Sequence, residues 1–261
     1  MFRSLHIAAS GMAAQESNLD AISNNIANGS TAGYKKQRAD FQDLLYQTIR
    51  AAGTQTSATA TTPSGLQVGN GVRVVGMSRS FSQGSTTVTN NPLDVAIEGE
   101  GFFVVQQADG TPAYTRAGNF QTNAQGQIVT SEGYPIDPAI TIPPDATSVT
   151  IGADGTVSVT NGTQTTPTQV GQITTATFVN PAGLTAFGHN LYKESAASGN
   201  PQVGVAGTES RGSLLQGSIE NSNVDVVEEM VGLINAQRGY EINSKVISAA
   251  DEMLQSATQL R

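Results

Sequence analysis

The chain has 261 residues, a net charge of −8 and no cysteine. That length supports one or two domains with a sizeable core. The chain lacks the basic patch with which a nucleic-acid binder neutralises phosphates, and the missing thiols exclude disulfides, thiolate metal sites and cysteine nucleophiles.

Charged residues make up 13% of the chain, against roughly a quarter in an average soluble protein. Ser, Thr, Asn, Gln and 28 Gly take their place. Such a surface lets many identical copies approach without like charges meeting.

The first element is a helix. Leu5, Met12, Leu19 and Ile26 lie seven apart, and Ala8, Gln15 and Ile22 fall three after the first three of these. This narrow heptad seam needs a partner. The stretch from Leu5 to Ala14 has the composition of a signal-peptide core. Its periodicity, however, runs on through Gln15, Glu16, Ser17 and Asn18. The helix is therefore expected to stay in the mature chain, and any export to proceed without a cleaved signal. Asn28-Gly29 is a candidate C-cap, since both residues tolerate the left-handed conformation. The one cationic cluster, Lys35, Lys36 and Arg38, reads as a solvated loop. No apolar run approaches the ~18 residues of a membrane helix.

Residues 51–72 contain no charge, and Thr54 to Ser64 is a low-complexity Thr/Ser/Ala run. Taken alone, this composition predicts a flexible loop. The period then changes to that of strands. Val72, Val74 and Gly76 alternate with Arg73 and Val75, and Leu93 to Ile97 leads into Gly101 to Val105. Asp109-Gly110, Asp154-Gly155 and Asn161-Gly162 are hairpin dipeptides, favoured because a left-handed turn matches strand twist. Short apolar runs at Ile128-Val129, Val149 to Ile151, Val157 to Val159 and Ile173 to Val179 lie between turn signals. An all-β antiparallel middle is expected.

A second helix closes the chain. Asp225 is followed by Glu228, an N-cap with an acidic first turn. Met230, Leu233, Tyr240, Ile247 and Leu254 share one heptad frame, and Val231, Ile234, Ile242, Val246, Met253 and Leu260 widen the apolar face. Arg261 suits the negative pole of the helix dipole. Residues 1–50 carry +1 and residues 220–261 carry −4, so hydrophobic burial rather than charge must hold the two ends together. The expected class is α+β, with terminal helices pairing as a coiled coil around a β-rich middle. The expected divisions are a helical domain of residues 1–35 and 218–261, a connector of 36–90 and 205–217, and a β domain of 91–204. Termini are usually frayed and polar; here they carry the strongest amphipathic patterns, as surfaces do that become buried against other subunits.

No motif carries chemistry. His6 and His189 lack the companions of a zinc site, and no Gly-x-Ser-x-Gly elbow is present. Gly99-Glu-Gly101 leads into a strand and lacks the third glycine of a dinucleotide loop, so its glycines serve a tight turn. Glu98 and Glu100 are adjacent surface carboxylates before they are a glycosidase pair. Asp109 and Asp154 have no further acidic residues at calcium-ligand spacing. No catalytic, cofactor-binding or metal-binding residue is assigned, and no enzyme activity is expected; a cell-wall-acting enzyme and a monomeric export or cap protein stay open as alternatives, with no sequence feature in their favour.

Three blocks together resemble the bacterial flagellar rod and hook (axial) family. The first runs from Ala9 to Asn28 and on through Thr31-Ala-Gly-Tyr-Lys35. The second is Ala96-Ile-Glu-Gly-Glu-Gly-Phe-Phe103 with Ala113-Tyr-Thr-Arg-Ala-Gly-Asn-Phe120. The third is Gly217 to Asp225, then Glu229-Met230 and Asn235 to Asn243. Their order and end placement also match, so the resemblance covers the whole chain. Tyr46 to Arg50, Pro63 to Val72 and Asn91 to Ile97 resemble stretches typical of distal-rod members, whereas hook members are longer.

The resemblance implies a structural subunit, exported unfolded through the flagellar type III apparatus, that adds to a rigid helical tube around the export channel and transmits torque. Implied partners are further copies of itself, proximal rod subunits, hook subunits, and the outer-membrane and peptidoglycan ring proteins around the rod. Head-to-tail contacts fit such an open filament. The implied assembly seam is Leu5, Met12, Leu19, Ile22 and Ile26 with Met230, Leu233, Ile234, Ile247 and Leu254. A rod-stiffening segment, residues 46–70 with Tyr46, Ile49, Pro63, Leu66 and Val68, is implied as an ordered contact between subunits.

Overall fold

The computed structural model describes residues 2–53, 55–57, 60–61, 63–162 and 166–259. Leu260 and Arg261, parts of the Thr54–Ser64 run and the residues just after Asn161-Gly162 lie outside this set. The chain forms two compact units: residues 1–26, 37–78 and 225–261, and residues 27–36 and 79–224. The first is called the helical unit and the second the β unit.

In the helical unit, α1 (Phe2–Ala27) and α2 (Val226–Gln259) run antiparallel. Gly11 faces Asn243, Gln15 faces Gly239, and Ile22 faces Gly232. A step forward along one helix matches an equal step back along the other, so the pairing holds a single register. At each of these levels a glycine sits opposite a larger side chain. A Cβ on Gly11 would come within 2.9 Å of the Asn243 amide nitrogen, so the two backbones approach closely there. As expected, Asp225 caps α2: its Oδ1 accepts from the amides of Val227 at 2.9 Å and Glu228 at 3.2 Å, filling donors that a helix start leaves free.

The unit continues as β structure. Gln37–Asp43 pairs with Val72–Arg79, Gln47–Arg50 with Leu66–Val68, and Gln55–Ser57 with Ala60–Thr61. The expectation of a flexible loop over Thr54 to Ser64 is corrected: its described residues include the two short strands Gln55–Ser57 and Ala60–Thr61 of a β-arm. Thr, Val, Ile and Gln along the arm suit a pleated backbone, and the ladder needs no charged side chain. The arm is tied to α1 at its base. The Ser10 hydroxyl donates to the Ile7 carbonyl and accepts from the Val72 amide. Gly71, at φ 113°, carries no Cβ that would collide with that hydroxyl.

The β unit is built on a six-stranded antiparallel sheet. Its spatial order is Thr185–Gly188, Leu191–Lys193, Pro112–Thr115, Phe102–Gln106, Thr174–Thr177 and Gln202–Val205. Side chains alternate between its faces. Phe103 enters one core with Val95, Ile97, Phe120, Ile173 and Leu214, while Phe102 enters another with Tyr114, Phe178 and Tyr192. A three-stranded sheet, Ala146–Ile151, Thr156–Asn161 and Thr168–Gln172, supplies Ile151 and Val157 to the first core. The Asp109-Gly110 and Asp154-Gly155 turns form as expected, with left-handed glycines and aspartate side chains accepting from Thr111 and Thr156. Among the described residues, no helix is long and apolar enough to cross a membrane.

Candidate assembly interface

The helical unit carries two apolar surfaces, and they differ in what covers them. Along α1, Ala8, Ala14, Ala21 and Ile22 are buried, and Leu5, Met12, Leu19 and Ile26 are half-buried. Along α2, Ala236 and Ala250 are buried, with Leu233, Ile247 and Leu254 half-buried beside them. These positions follow the register of the helix pair. Met230 and Ile234 are different: they are 52% and 48% exposed. They belong to a second stripe with Val227, Val231, Ile242, Val246 and Met253, all exposed. At 100° per residue Val227, Val231 and Ile234 lie on the side of α2 opposite Ala236, Met230 and Ile242 lie to either side of them, and Val246 and Met253 lie on the flank next to Ala250. A helix that is apolar on opposite faces is built to be enclosed.

The helix pair is pinned near its Asn25 end by a polar clasp. Asn25, 1% exposed, donates from Nδ2 to the Gln37 carbonyl at 2.8 Å and to Glu229 Oε2 at 3.1 Å, and its Oδ1 accepts from the Gln37 amide at 2.8 Å. One side chain thus joins α1, α2 and the first strand. Asn25 and Glu229 are both buried, so a mismatched register would strand polar groups away from water.

The residues expected in the stiffening segment lie on the β-arm. Tyr46, Ile49 and Leu66 are about half exposed, Pro63 is exposed and Val68 is half-buried. Leu45 beside them is 89% exposed. A shallow cavity of about 650 Å³ lies between Gln42–Tyr46, Asn70 and Arg73. The arm thus presents exposed apolar side chains, with Asp43, Arg50 and Arg73 at its base and no charge from residue 51 to 72.

A third feature escapes the sequence. The reading of Lys35 as part of a solvated loop is corrected: Lys35 is fully buried in the β unit. Its Nζ donates to Glu220 Oε1 at 2.7 Å and to the Ser82 carbonyl at 2.7 Å. Arg116, also buried, donates from Nε to Glu220 Oε2 at 2.9 Å. Its Nη1 donates to the carbonyls of Gly99 and Gly101. The Gly84 amide adds a further bond to the carboxylate. Burial lowers the pKa of Lys35 against the opposing pull of Glu220. The left-handed glycines 99 and 101 make the turn that brings both carbonyls to one guanidinium. Lys36 is half-buried and Arg38 exposed, so the cluster is solvated only toward its end.

The remaining sequence candidates form no constellation. Glu98 and Glu100 are both exposed beside this turn. His189 pairs with Glu132 at 3.3 Å on the surface.

Residues 5–35 match the flagella basal body rod protein family, residues 96–159 the D1 domain of the flagellar hook protein FlgE/F/G family, and residues 215–260 the C-terminal region of flagellar basal body rod FlgEFG proteins. The chain is 52% identical over 260 residues to the flagellar basal-body rod protein FlgG of Buchnera aphidicola from Schizaphis graminum, covering all of both chains. It is 54% identical to that of Caulobacter vibrioides, covering 99% of each. The chain belongs to the flagellar basal-body rod family. Within that family frame the buried ion network gains meaning: Lys35 lies in the first matched region, Arg116 in the second and Glu220 in the third. The three regions that identify the family meet at one carboxylate.

Proposed function

We infer that the chain is a structural subunit of the flagellar distal rod, located in the basal body. The observation that carries this is end-to-end identity of about half with FlgG rod proteins. The subunit self-assembles into a rigid helical tube through the apolar stripe on α2. Monomers expose that stripe, and neighbouring copies cover it. Apolar burial is worth about 25 cal/mol per Å², so a stripe of seven large side chains supplies the drive for association. The pairing surface of Leu5, Met12, Leu19, Ile22 and Ile26 with Leu233, Ile247 and Leu254 holds the two helices as one building block. Met230 and Ile234 join that block to the next. The arm, with Tyr46, Ile49, Pro63, Leu66 and Val68, braces neighbouring subunits and stiffens the tube. The proposed partners are proximal rod subunits below, hook subunits above, the peptidoglycan and outer-membrane ring proteins around the rod, and the export apparatus that delivers the chain. The role is mechanical rather than catalytic.

The test is electron microscopy of basal bodies from an in-frame deletion strain. Rods truncated before the hook, restored by the wild-type chain but not by Ile234→Asp, support both the place and the seam. A complete rod lacking only a hook would move the chain to the hook. Restoration by Ile234→Asp would remove the α2 stripe from the interface.

A further inference from the structure

The Lys35–Glu220–Arg116 network holds two cations to one anion inside the β unit. All three side chains are buried, Lys35 and Glu220 almost completely. Apart from Glu220, the cations donate to backbone carbonyls: Lys35 to Ser82, and Arg116 to Gly99 and Gly101. Carbonyls satisfy hydrogens but do not neutralise charge. Without Glu220 the core would close over two unneutralised like charges, which costs far more than ordinary packing returns.

Glu220 also arrives as part of a larger closing piece. Ser213–Gln216 pairs with Val95–Glu98, Ser218–Glu220 pairs with Thr86–Val88, and Leu214 fills the core beside Phe103. The Glu220 carbonyl accepts from the Gly33 amide, and Asn223 accepts from the Lys36 amide while donating to the Ser80 and Ser82 carbonyls. Strands and charge therefore both wait on the same stretch. Of the three ionic residues it is the last to appear when a chain is delivered from its N-terminus.

We propose that Glu220 is the closing charge of the β unit: the unit stays open until the segment 211–223 docks, and only then do Lys35 and Arg116 become buried. A chain that has delivered Lys35 and Arg116 but not Glu220 thus has no finished β unit to present. On the rod reading, this prevents a partly delivered subunit from adding to the tube. The folding step itself does not depend on that reading, and its test uses the monomeric full chain.

Hydrogen-exchange pulse labelling during refolding of the intact protein tests it. Amides of Phe102–Gln106 and Pro112–Thr115 are expected to gain protection in the same kinetic phase as those of Ser218–Glu220. Protection of the two central strands in an earlier phase overturns the proposal. The second arm is Glu220→Ala, which should lower native-state protection of the central strands about 100-fold. Adding Lys35→Met, which removes one of the two stranded charges, should recover about tenfold of that loss. Central strands as protected in Glu220→Ala as in the wild type, or no recovery in the double variant, also overturn it. If Glu220→Ala does not fold at all, the pulse-labelling order on the wild-type chain still decides.

Discussion

In the β unit Val95, Phe103, Val105 and Ile173 are fully enclosed, whereas in α2 Val227, Met230, Val231 and Ile242 are each more than half exposed. Both groups are large and aliphatic or aromatic, so hydrophobicity alone does not separate them. The difference lies in what the surrounding chain supplies. The β unit wraps its core residues in a six-stranded sheet, a three-stranded sheet and several two-stranded ladders, and closes on an internal ion network. The helical unit supplies one partner helix to a helix with two apolar faces. One region encloses its core within a single chain, and the other leaves a run of apolar side chains on α2 exposed.

Substitutions sharpen this contrast. The largest loss is expected from Phe103→Ala, which empties a fully buried site next to Phe120, at a ring separation of 5.0 Å. It should cost about 3–5 kcal/mol of β-unit stability, read as a lower midpoint in denaturant. An unchanged midpoint would mean that this core is not what holds the unit. A smaller loss is expected from Asp225→Ala, which removes the cap of α2. It should cost about 1 kcal/mol, seen as faster exchange at the Val227 and Glu228 amides. Equal exchange rates would show that the cap is redundant.

Alkaline pH tests the enclosure of the β unit from another side. Burial, with Glu194 and Asp137 nearby, raises the pKa of Tyr114 to about 12. The unfolded chain ionises this phenol near 10, so its contribution to stability is complete below that pH and is lost as pH rises toward 12. Tyrosine absorbance should show a group titrating near 12 that disappears in Tyr114→Phe. Retention of that group in the variant would place the burial elsewhere.

The smallest effect on the isolated chain is expected from Ile234→Asp, within about 0.5 kcal/mol because the site is exposed. Its effect on assembly should be the largest of all, with no rods formed. A strongly destabilised monomer would show that the stripe is already covered within the chain. Leu19→Asp provides the contrast: it strikes the half-buried pairing surface and should weaken both the monomer and the rod.

Local signals in the sequence translated well. The Asp225 cap and the Asp109-Gly110 and Asp154-Gly155 turns depend on residues two or three apart, and each forms as expected. The heptad pattern of α1 and α2 gave the helices but not the division of α2 into a paired and an open face. Period places Leu233 and Ile234 on the same helix; only the position of α1 decides which of them is covered. Lys35 was illegible for a related reason. Three cations within four residues look like a solvated surface, and the carboxylate that buries the first is 185 positions away. The run from Thr54 to Ser64 reads as a loop because composition reports the lack of a core. It does not report cross-strand pairing such as that of Gln55–Ser57 with Ala60–Thr61.

From Ala51 to Val72 the arm carries no ionisable side chain. A contact made there has no counterions to release and no proton to exchange. Its strength should therefore stay constant as ionic strength and acidity change. On the rod function proposed above, a joint made by this segment would keep the same grip wherever along the shaft those conditions change.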